Sequence, residues 1–157
     1  MIEVNQKIPA ATLSELTADG MVNHSTDALF AGKKVVLFAV PGAFTPTCSE
    51  EHLPGYVVYA DKLKAKGVDL IVCVSVNDAF VMKSWGDAQN ASEILMLGDG
   101  DASFTKALGL VLETGNFGGT RSQRYAMVVD NGVVTQLNVE EGGAFEASKA
   151  ETILDSL

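Results

Sequence analysis

The chain has 157 residues, of which 47% are hydrophobic, and its formal net charge at pH 7 is −9. This length and apolar content predict a single domain over residues 1–157 with its own core, and they exclude a disordered chain. The acidic balance disfavours nucleic acid and anionic membrane surfaces as partners, because both are bound by clusters of Lys and Arg. The cations are scattered, apart from Lys33-Lys34.

The N-terminus has no basic start followed by an apolar run, and no apolar stretch approaches the ~18 residues of a membrane span. A cytoplasmic location is therefore expected, where thiols stay reduced unless chemistry uses them. The two cysteines, Cys48 and Cys73, cannot form a disulfide framework, and no C-x-x-C or H-x-x-x-H spacing offers a zinc site. Neither a metal nor an organic cofactor is expected.

Apolar runs and helical patterns alternate along the first half of the chain. KKVVLFAV and VDLIVCVSV each predict a strand buried on both faces, and SEEHLPGYVVYADKLKAKG between them predicts a helix. Strand, helix, strand is a βαβ unit, which implies parallel strands. Pro54-Gly55 predicts a kink or a break in the intervening helix.

The second half predicts a change to antiparallel pairing. Asn77 is predicted to cap a helix over DAFVMKSWGDA, which is followed by a strand over EILMLGD and a short helix over DASFTKALGL. RYAMVVDNGVVTQLNV predicts a hairpin that turns at Asp130-Asn131-Gly132. FEASKAETILDSL predicts a C-terminal amphipathic helix. Together the elements predict a mixed sheet with helices on both faces.

Cys48 lies where a predicted strand gives way to a helix, in VPGAFTPTCSEEHLPGY. Ligand sites of open α/β sheets lie at this carboxyl edge. Either Thr45 is the N-cap with Pro46 at the first helical position, or Thr47 and Glu50 form a capping box. Both choices put Cys48 in the first turn, where free amides and the helix dipole favour the thiolate and make it nucleophilic.

Two neighbouring carboxylates oppose a thiolate at this position. Glu50 and Glu51 repel negative charge, so a compensating cation is expected, and Arg121 and Arg124 before the hairpin are the candidates. The alternative interpretation of Cys48 is a small buried hydrophobic residue.

PGAFTPTCS resembles the active-site signature of the peroxiredoxins, P-x-x-x-T-x-x-C. The fuller PGAFTPTCSEEHLPGY, with VSVNDAF and RYAMVVDNG downstream, resembles the type II (atypical) subgroup from about Ile8 to the C-terminal helix. The resemblance implies an α/β fold, a thioredoxin-like three-layer sandwich with a central mixed β-sheet flanked by helices. It also implies a thiol-dependent peroxidase for hydrogen peroxide and small organic hydroperoxides that needs no cofactor.

The resemblance implies a role for each matching residue. Cys48 corresponds to the peroxidatic cysteine, whose thiolate attacks the O–O bond and becomes a sulfenic acid. Thr45 corresponds to the threonine that hydrogen-bonds the thiolate and the peroxide, and Pro41 to the proline that shields the pocket from water. Arg124 corresponds to the arginine that supports the thiolate and polarises the peroxide, whereas Arg121 is expected to be an exposed loop arginine. Such donors suit the reaction, because the leaving oxygen carries negative charge.

Cys73 has two interpretations. Within the predicted strand LIVCVSV it can be a buried core residue. It can also be a resolving thiol that condenses with the sulfenic acid of Cys48, a role that some type II members are thought to give to this position. A Cys48–Cys73 bridge needs Cα atoms within about 7 Å, so the helix start would have to unfold locally. The C-terminal segment EEGGAFEASKAE has no cysteine, which excludes a C-terminal resolving mechanism.

Without a resolving cysteine, an external thiol must reduce Cys48. The resemblance points to glutathione with glutaredoxin, and thioredoxin is the alternative. It also implies a homodimer built around the active-site loop and the start of the NDAF helix, with Phe44, Phe80 and Trp85 as core or interface aromatics.

Three other activities would use some of the same residues. A dithiol oxidoreductase would need C-x-x-C where this chain has T-P-T-C. A peroxide sensor, passing its oxidation to a partner protein through a mixed disulfide, would use the same residues, and the sequence leaves it open. His52, four residues after Cys48, could suggest a cysteine hydrolase. No third residue is evident, so His52 is expected to be a packing or capping histidine.

Overall fold

The computed structural model describes all residues from Met1 to Leu157. The strands are β1 Thr12–Thr17, β2 Gly20–Ser25, β3 Lys34–Ala39, β4 Leu70–Ser75, β5 Leu95–Gly98, β6 Val111–Glu113, β7 Thr120–Ser122, β8 Tyr125–Asp130 and β9 Val133–Val139. The helices are α1 Thr26–Phe30, α2 Leu53–Ala65, α3 Ala79–Ala88, α4 Ser103–Leu108 and α5 Ala150–Ser156. A π-helical turn, Cys48–His52, runs directly into α2.

Seven strands form one mixed sheet in the order β2-β1-β5-β4-β3-β8-β9, and β6 pairs with β7 separately. The β3–β4 and β4–β5 pairs are parallel, and the other pairs of the large sheet are antiparallel. One face is covered by α2, α3 and α5, and the other by α1 and α4. Alternate residues of β3 enter the two cores, Val36 and Phe38 one and Val35 and Leu37 the other. The predicted thioredoxin-like three-layer sandwich is confirmed.

The β8–β9 hairpin sets one wall of the site. Asn131 and Gly132 both have positive φ, 47° and 81°, which is the backbone of a tight two-residue hairpin turn and accounts for the Asn-Gly pair. The pairing of β8 with β3 places Tyr125 opposite Ala39, the last residue of β3. Arg124 therefore lies beside the loop that leaves the carboxyl end of β3.

Two local predictions were wrong. Asp78 rather than Asn77 caps α3, because the Asp78 carboxylate accepts from the amide of Val81. The C-terminal helix begins at Ala150, and residues 145–149, which were predicted to be helical, form a loop. At Pro54-Gly55, where a kink or a break was predicted, α2 is unbroken, and the irregularity is the π turn just before it, in which the Leu53 amide donates to the Cys48 carbonyl. The hairpin of β1 and β2 and the β6–β7 pair were not predicted.

None of the helices is both long enough and apolar enough to cross a membrane.

Candidate active site

Cys48 is fully buried, has a free thiol and is the first residue of the π turn. Helical backbone begins at Pro46, and the Ser49 amide donates to the Thr45 carbonyl at 2.9 Å, so Cys48 lies in the first helical turn as predicted. Thr47 is already helical and its side chain caps nothing, so the alternative capping box does not form.

The hydroxyl of Thr45 donates to the carbonyl oxygen of Gly42 at 2.6 Å. The structure therefore lacks the hydrogen bond from this hydroxyl to the Cys48 sulfur that the resemblance implied. Because its proton is engaged, the Thr45 oxygen offers only lone pairs to a molecule entering the site.

Arg124 is the cation at the sulfur. Its Nη2 donates to Cys48 Sγ at 3.2 Å, and its Nη1 donates to His52 Nδ1 at 2.9 Å. The guanidinium lies 5.8 Å from the ring centroid of Phe145. A guanidinium that donates to sulfur favours the charged thiolate over the thiol. The cation that Glu50 and Glu51 made necessary is thus supplied by Arg124.

Arg121 contacts the active-site loop and not the sulfur. It is half-buried, which corrects the expected exposed loop arginine. Its guanidinium lies 5.4 Å from the ring centroid of Phe117, and Nη1 approaches the Pro41 carbonyl oxygen at 3.5 Å. A Cβ on Gly42 would lie 2.6 Å from this Nη1, so a larger residue at position 42 would displace the guanidinium. Arg121 therefore packs against the loop that carries Pro41 and Gly42.

Asn77 also holds this loop. Asn77 Oδ1 accepts from the amide of Ala43 at 3.0 Å and from the Ser75 hydroxyl at 2.6 Å, so Asn77 ties the loop to the end of β4 instead of capping a helix. Phe44 has a left-handed backbone with φ 63°, a strained conformation for a residue with a side chain. The loop between β3 and the helix is thus joined to β4 through Asn77 and contains one strained residue.

His52 is fully buried and neutral. Burial, and then the charge of Arg124, lower the pKa of this imidazole from 6.5 to about 3. Since Nδ1 accepts from Arg124, the proton lies on Nε2, which donates to the Ser148 carbonyl oxygen at 3.0 Å. Tyr56 donates to the same oxygen at 2.8 Å. The imidazole faces Arg124 and not the sulfur, so it is not the base of a cysteine hydrolase.

Cys73 lies in the middle of β4 with a neighbouring strand on each side, opposite Phe38 and Met96. It is fully buried in the same hydrophobic cluster as Cys48. Burial, followed by repulsion from Cys48, raises the pKa of the Cys73 thiol well above its ordinary value. This environment suits an unreactive thiol.

Some of the site had no signal in the sequence. Ser148 binds His52, and Phe145 packs against both His52 and Arg124, from a segment that was predicted to be helical and to carry no site residue. Trp85 is buried and its indole N–H donates to the Ser49 hydroxyl at 3.0 Å, which makes it a core residue next to the reactive turn. No cluster of three or more His, Cys, Asp or Glu side chains is arranged to hold a metal ion.

Comparisons with known proteins agree with this geometry. The Redoxin family model matches residues 3–154. Peroxiredoxin-2E-2, chloroplastic, of Oryza sativa subsp. japonica is 53% identical over 99% of this chain and 72% of its own length. Peroxiredoxin-2D of Arabidopsis thaliana is 47% identical over 99% of this chain and 98% of its own. Reduced Prx3 from Vibrio vulnificus, solved in complex with H2O2, superposes with a TM-score of 0.98 at 73% identity, covering 99% of both chains. The chain belongs to the redoxin family and, within it, to the peroxiredoxins.

Proposed function

We propose that this peroxiredoxin reduces hydrogen peroxide and small organic hydroperoxides through a sulfenic acid on Cys48. The observation that carries the proposal is the hydrogen bond from Arg124 Nη2 to Cys48 Sγ at 3.2 Å, in the first turn of a helix. The helix N-terminus and the guanidinium together stabilise the thiolate, which is the nucleophilic form of cysteine.

The reaction transfers one oxygen atom to sulfur. The thiolate attacks the nearer peroxide oxygen, the S–O bond forms as the O–O bond breaks, and the sulfur loses two electrons. The second oxygen leaves as hydroxide or alkoxide and takes up a proton to become water or an alcohol. Arg124 stabilises the negative charge that develops on this oxygen. The Thr45 hydroxyl, whose own proton is held by Gly42, accepts a hydrogen bond from the peroxide and aligns it, and Pro41 keeps water away.

We propose that an external thiol regenerates Cys48. A thiol condenses with the sulfenic acid to form a mixed disulfide and water, and a second thiol then releases Cys48 by disulfide exchange. The unreactive setting of Cys73 and the absence of a cysteine after residue 73 support this route. Glutathione with glutaredoxin is the favoured reductant, and thioredoxin is the alternative.

The proposal is tested with one equivalent of hydrogen peroxide added to the reduced protein, followed by intact mass and a free-thiol count. The expected result is the loss of one thiol and a mass gain of about 16 Da, the mass of one oxygen atom, and Cys48→Ser should not be oxidised at its remaining cysteine, Cys73. Turnover is then measured with glutathione and glutaredoxin, and separately with thioredoxin. Fast oxidation without turnover in either system would favour the peroxide sensor, and no fast oxidation would overturn the proposal.

We further propose a homodimer that uses the active-site loop and the start of α3. Phe44 and Phe80 are 56% and 61% exposed, and Phe117 beside the same loop is 81% exposed. Exposed aromatic side chains are enriched at protein interfaces. Size-exclusion chromatography with light scattering tests this: wild type should elute as a dimer and Phe80→Glu as a monomer. An unchanged dimer in that variant would place the interface elsewhere.

The proposed location is the cytoplasm. Two free, buried cysteines suit a reducing compartment. Because relatives of known location include chloroplastic proteins, cell fractionation with an antibody against this chain is the deciding measurement.

A further inference from the structure

The carboxylate of Glu140 organises the segment that follows β9, which we name the support loop and define as residues 140–148. It accepts the amides of Glu146, Ala147 and Ser148 at 2.9, 3.2 and 2.8 Å, and the Ser148 hydroxyl at 2.6 Å. Burial opposes ionisation of this carboxyl, but these hydrogen bonds prevail and lower the pKa of Glu140. No Lys or Arg pairs with it, since the nearby Lys149 pairs with Glu146. All four hydrogen bonds of the Glu140 carboxylate therefore connect it to residues of the support loop itself.

The support loop begins and ends beside the active site. At its start, the Glu140 amide donates to the backbone carbonyl of Arg124 at 2.9 Å. At its end, the carbonyl of fully buried Ser148 points at His52 and Tyr56, which donate to it at 3.0 and 2.8 Å. Between these ends, Phe145 packs against the His52 ring with centroids 5.1 Å apart. The loop thus contacts Arg124 through the Glu140 amide and the Phe145 ring, and it contacts His52 through Ser148 and Phe145.

The Ser148 carbonyl determines which face His52 presents to Arg124. A carbonyl oxygen only accepts, so the nitrogen that meets it, Nε2, must carry the imidazole proton. The other nitrogen, Nδ1, is then a lone-pair acceptor, and it holds Arg124 Nη1 at 2.9 Å. With Nη1 fixed in this way, Nη2 is aimed at Cys48 Sγ. Removing the carbonyl from its place would free the imidazole to rotate and would release the guanidinium.

We propose that Glu140 is a positioning residue for the peroxidase reaction: by folding the support loop it places the Ser148 carbonyl, which orients His52 so that Arg124 is held against Cys48. The proposal rests on the proposed chemistry at Cys48. The support loop, which contains no resolving cysteine, would then serve to hold Arg124 in place. The electron movements of the reaction are unchanged, and Glu140 touches neither the peroxide nor the sulfur.

The first test compares Glu140→Gln with wild type in stopped-flow oxidation by hydrogen peroxide, followed through the fluorescence of Trp85. Glutamine keeps the size of the side chain, but its N–H₂ group is a donor and would face the amides of the support loop, which are also donors. We expect the second-order rate constant to fall on the order of tenfold, with the pH profile of the reaction moved to higher pH, because a misplaced catalytic group loses rate steeply. Glu141→Gln is the matched control, since Glu141 is exposed and its side chain makes no hydrogen bond, and it should stay within about twofold of wild type.

A double-mutant cycle separates positioning from a general loss of structure. In an Arg124→Gln background, Glu140→Gln should slow oxidation by less than about twofold, because the residue through which it acts is gone. The same loss in both backgrounds, or a Glu140→Gln rate equal to that of wild type, would overturn the proposal. A wild-type protein that does not react would instead overturn the proposed function.

A second pair of variants covers the case in which Glu140→Gln does not fold. His52→Phe fills the space between Phe38, Tyr56 and Phe145 but has no acceptor for Arg124, so oxidation should slow on the order of tenfold. His52→Asn offers an oxygen near the place of Nδ1 and an N–H₂ group that can donate, and it should recover part of that loss. Equal rates in the two His52 variants would show that the acceptor is not what holds Arg124, and the proposal would fail.

Discussion

The two cysteines lie in one hydrophobic cluster, both fully buried and both free, yet their polar surroundings differ completely. Cys48 is in the first turn of a helix with Arg124 Nη2 3.2 Å from its sulfur. Cys73 is in the middle of a strand, between Phe38 and Met96 on the neighbouring strands, and burial raises its pKa. Burial alone therefore does not decide which thiol reacts. The decisive difference is whether donors reach the buried sulfur to stabilise its charge.

The largest expected effect comes from Cys48→Ser, which should abolish peroxide consumption while leaving the fold intact. A serine hydroxyl has nearly the shape of the thiol but does not attack the O–O bond under these conditions. Peroxide consumption is measured with excess thiol reductant, and circular dichroism checks the fold. If this variant retained activity, Cys73 and not Cys48 would be the thiol that reacts with peroxide.

The next largest effect is expected when Arg124, the donor to the Cys48 sulfur, is removed. Arg124→Ala should slow oxidation on the order of 100-fold and move its pH profile upward, because the thiolate and the leaving oxygen both lose a donor. Stopped-flow rates from pH 5 to 9 measure both changes. Arg121→Gln, which leaves the guanidinium at the sulfur in place, should slow the reaction much less. Equal losses in the two variants would mean that the overall positive charge, and not the contact with the sulfur, distinguishes Cys48.

His52, which binds Arg124 next to Cys48, also makes the stability of the fold depend on pH. Because the pKa of His52 falls from 6.5 to about 3 on folding, the unfolded chain binds a proton between these values and the folded protein does not. Stability is therefore lost as the pH falls below 6.5, and from pH 7 to 5 this residue alone should lower the free energy of unfolding by about 2 kcal/mol. Urea titrations at both pH values should show that loss in wild type and a smaller one in His52→Phe. Equal losses would indicate that His52 is charged in the folded protein.

Alignment of the peroxide is expected to contribute less than the charge of Arg124. Thr45→Val removes the oxygen that would accept from the peroxide and should slow oxidation on the order of tenfold, whereas Thr45→Ser should retain most of the rate. The comparison uses hydrogen peroxide and a bulkier alkyl hydroperoxide under the same conditions. If valine reacted as fast as serine, the Thr45 hydroxyl would serve only to bind Gly42.

The smallest expected effect is that of Cys73→Ala. Oxidation of Cys48 should stay within about twofold of wild type, and one thiol should still be lost per peroxide. Intact mass and thiol counting provide the readout. If wild type lost two thiols per peroxide and formed a disulfide that this variant cannot form, Cys73 would be a resolving thiol, and the helix start would have to unfold to let it react.

Local patterns in the sequence predicted the elements that carry the reactive groups. The apolar run of β3, the Asn-Gly turn and the cysteine at the helix start were all identified from neighbouring residues. Asn77 shows where such reasoning fails, because its amide is a plausible cap in sequence but bonds Ala43, 34 residues away. The contact between His52 and Ser148 spans 96 residues, and no spacing in one sequence encodes it. Arg124 was placed at the sulfur by resemblance, since composition and spacing favoured neither arginine.

The π turn that contains Cys48 determines the direction in which the Cys48 side chain points around the helix axis, relative to α2. Each residue of an α-helix advances the chain by about 100° around the axis, and a π turn inserts one residue into that count. Without the extra residue, the sulfur would swing by roughly that angle away from Arg124 while α2 stayed packed on the sheet. Deletion of a single exposed residue such as Glu50 would therefore inactivate the protein without touching any group that takes part in the chemistry. For engineering, the length of this turn is as strict a requirement as the identity of the cysteine.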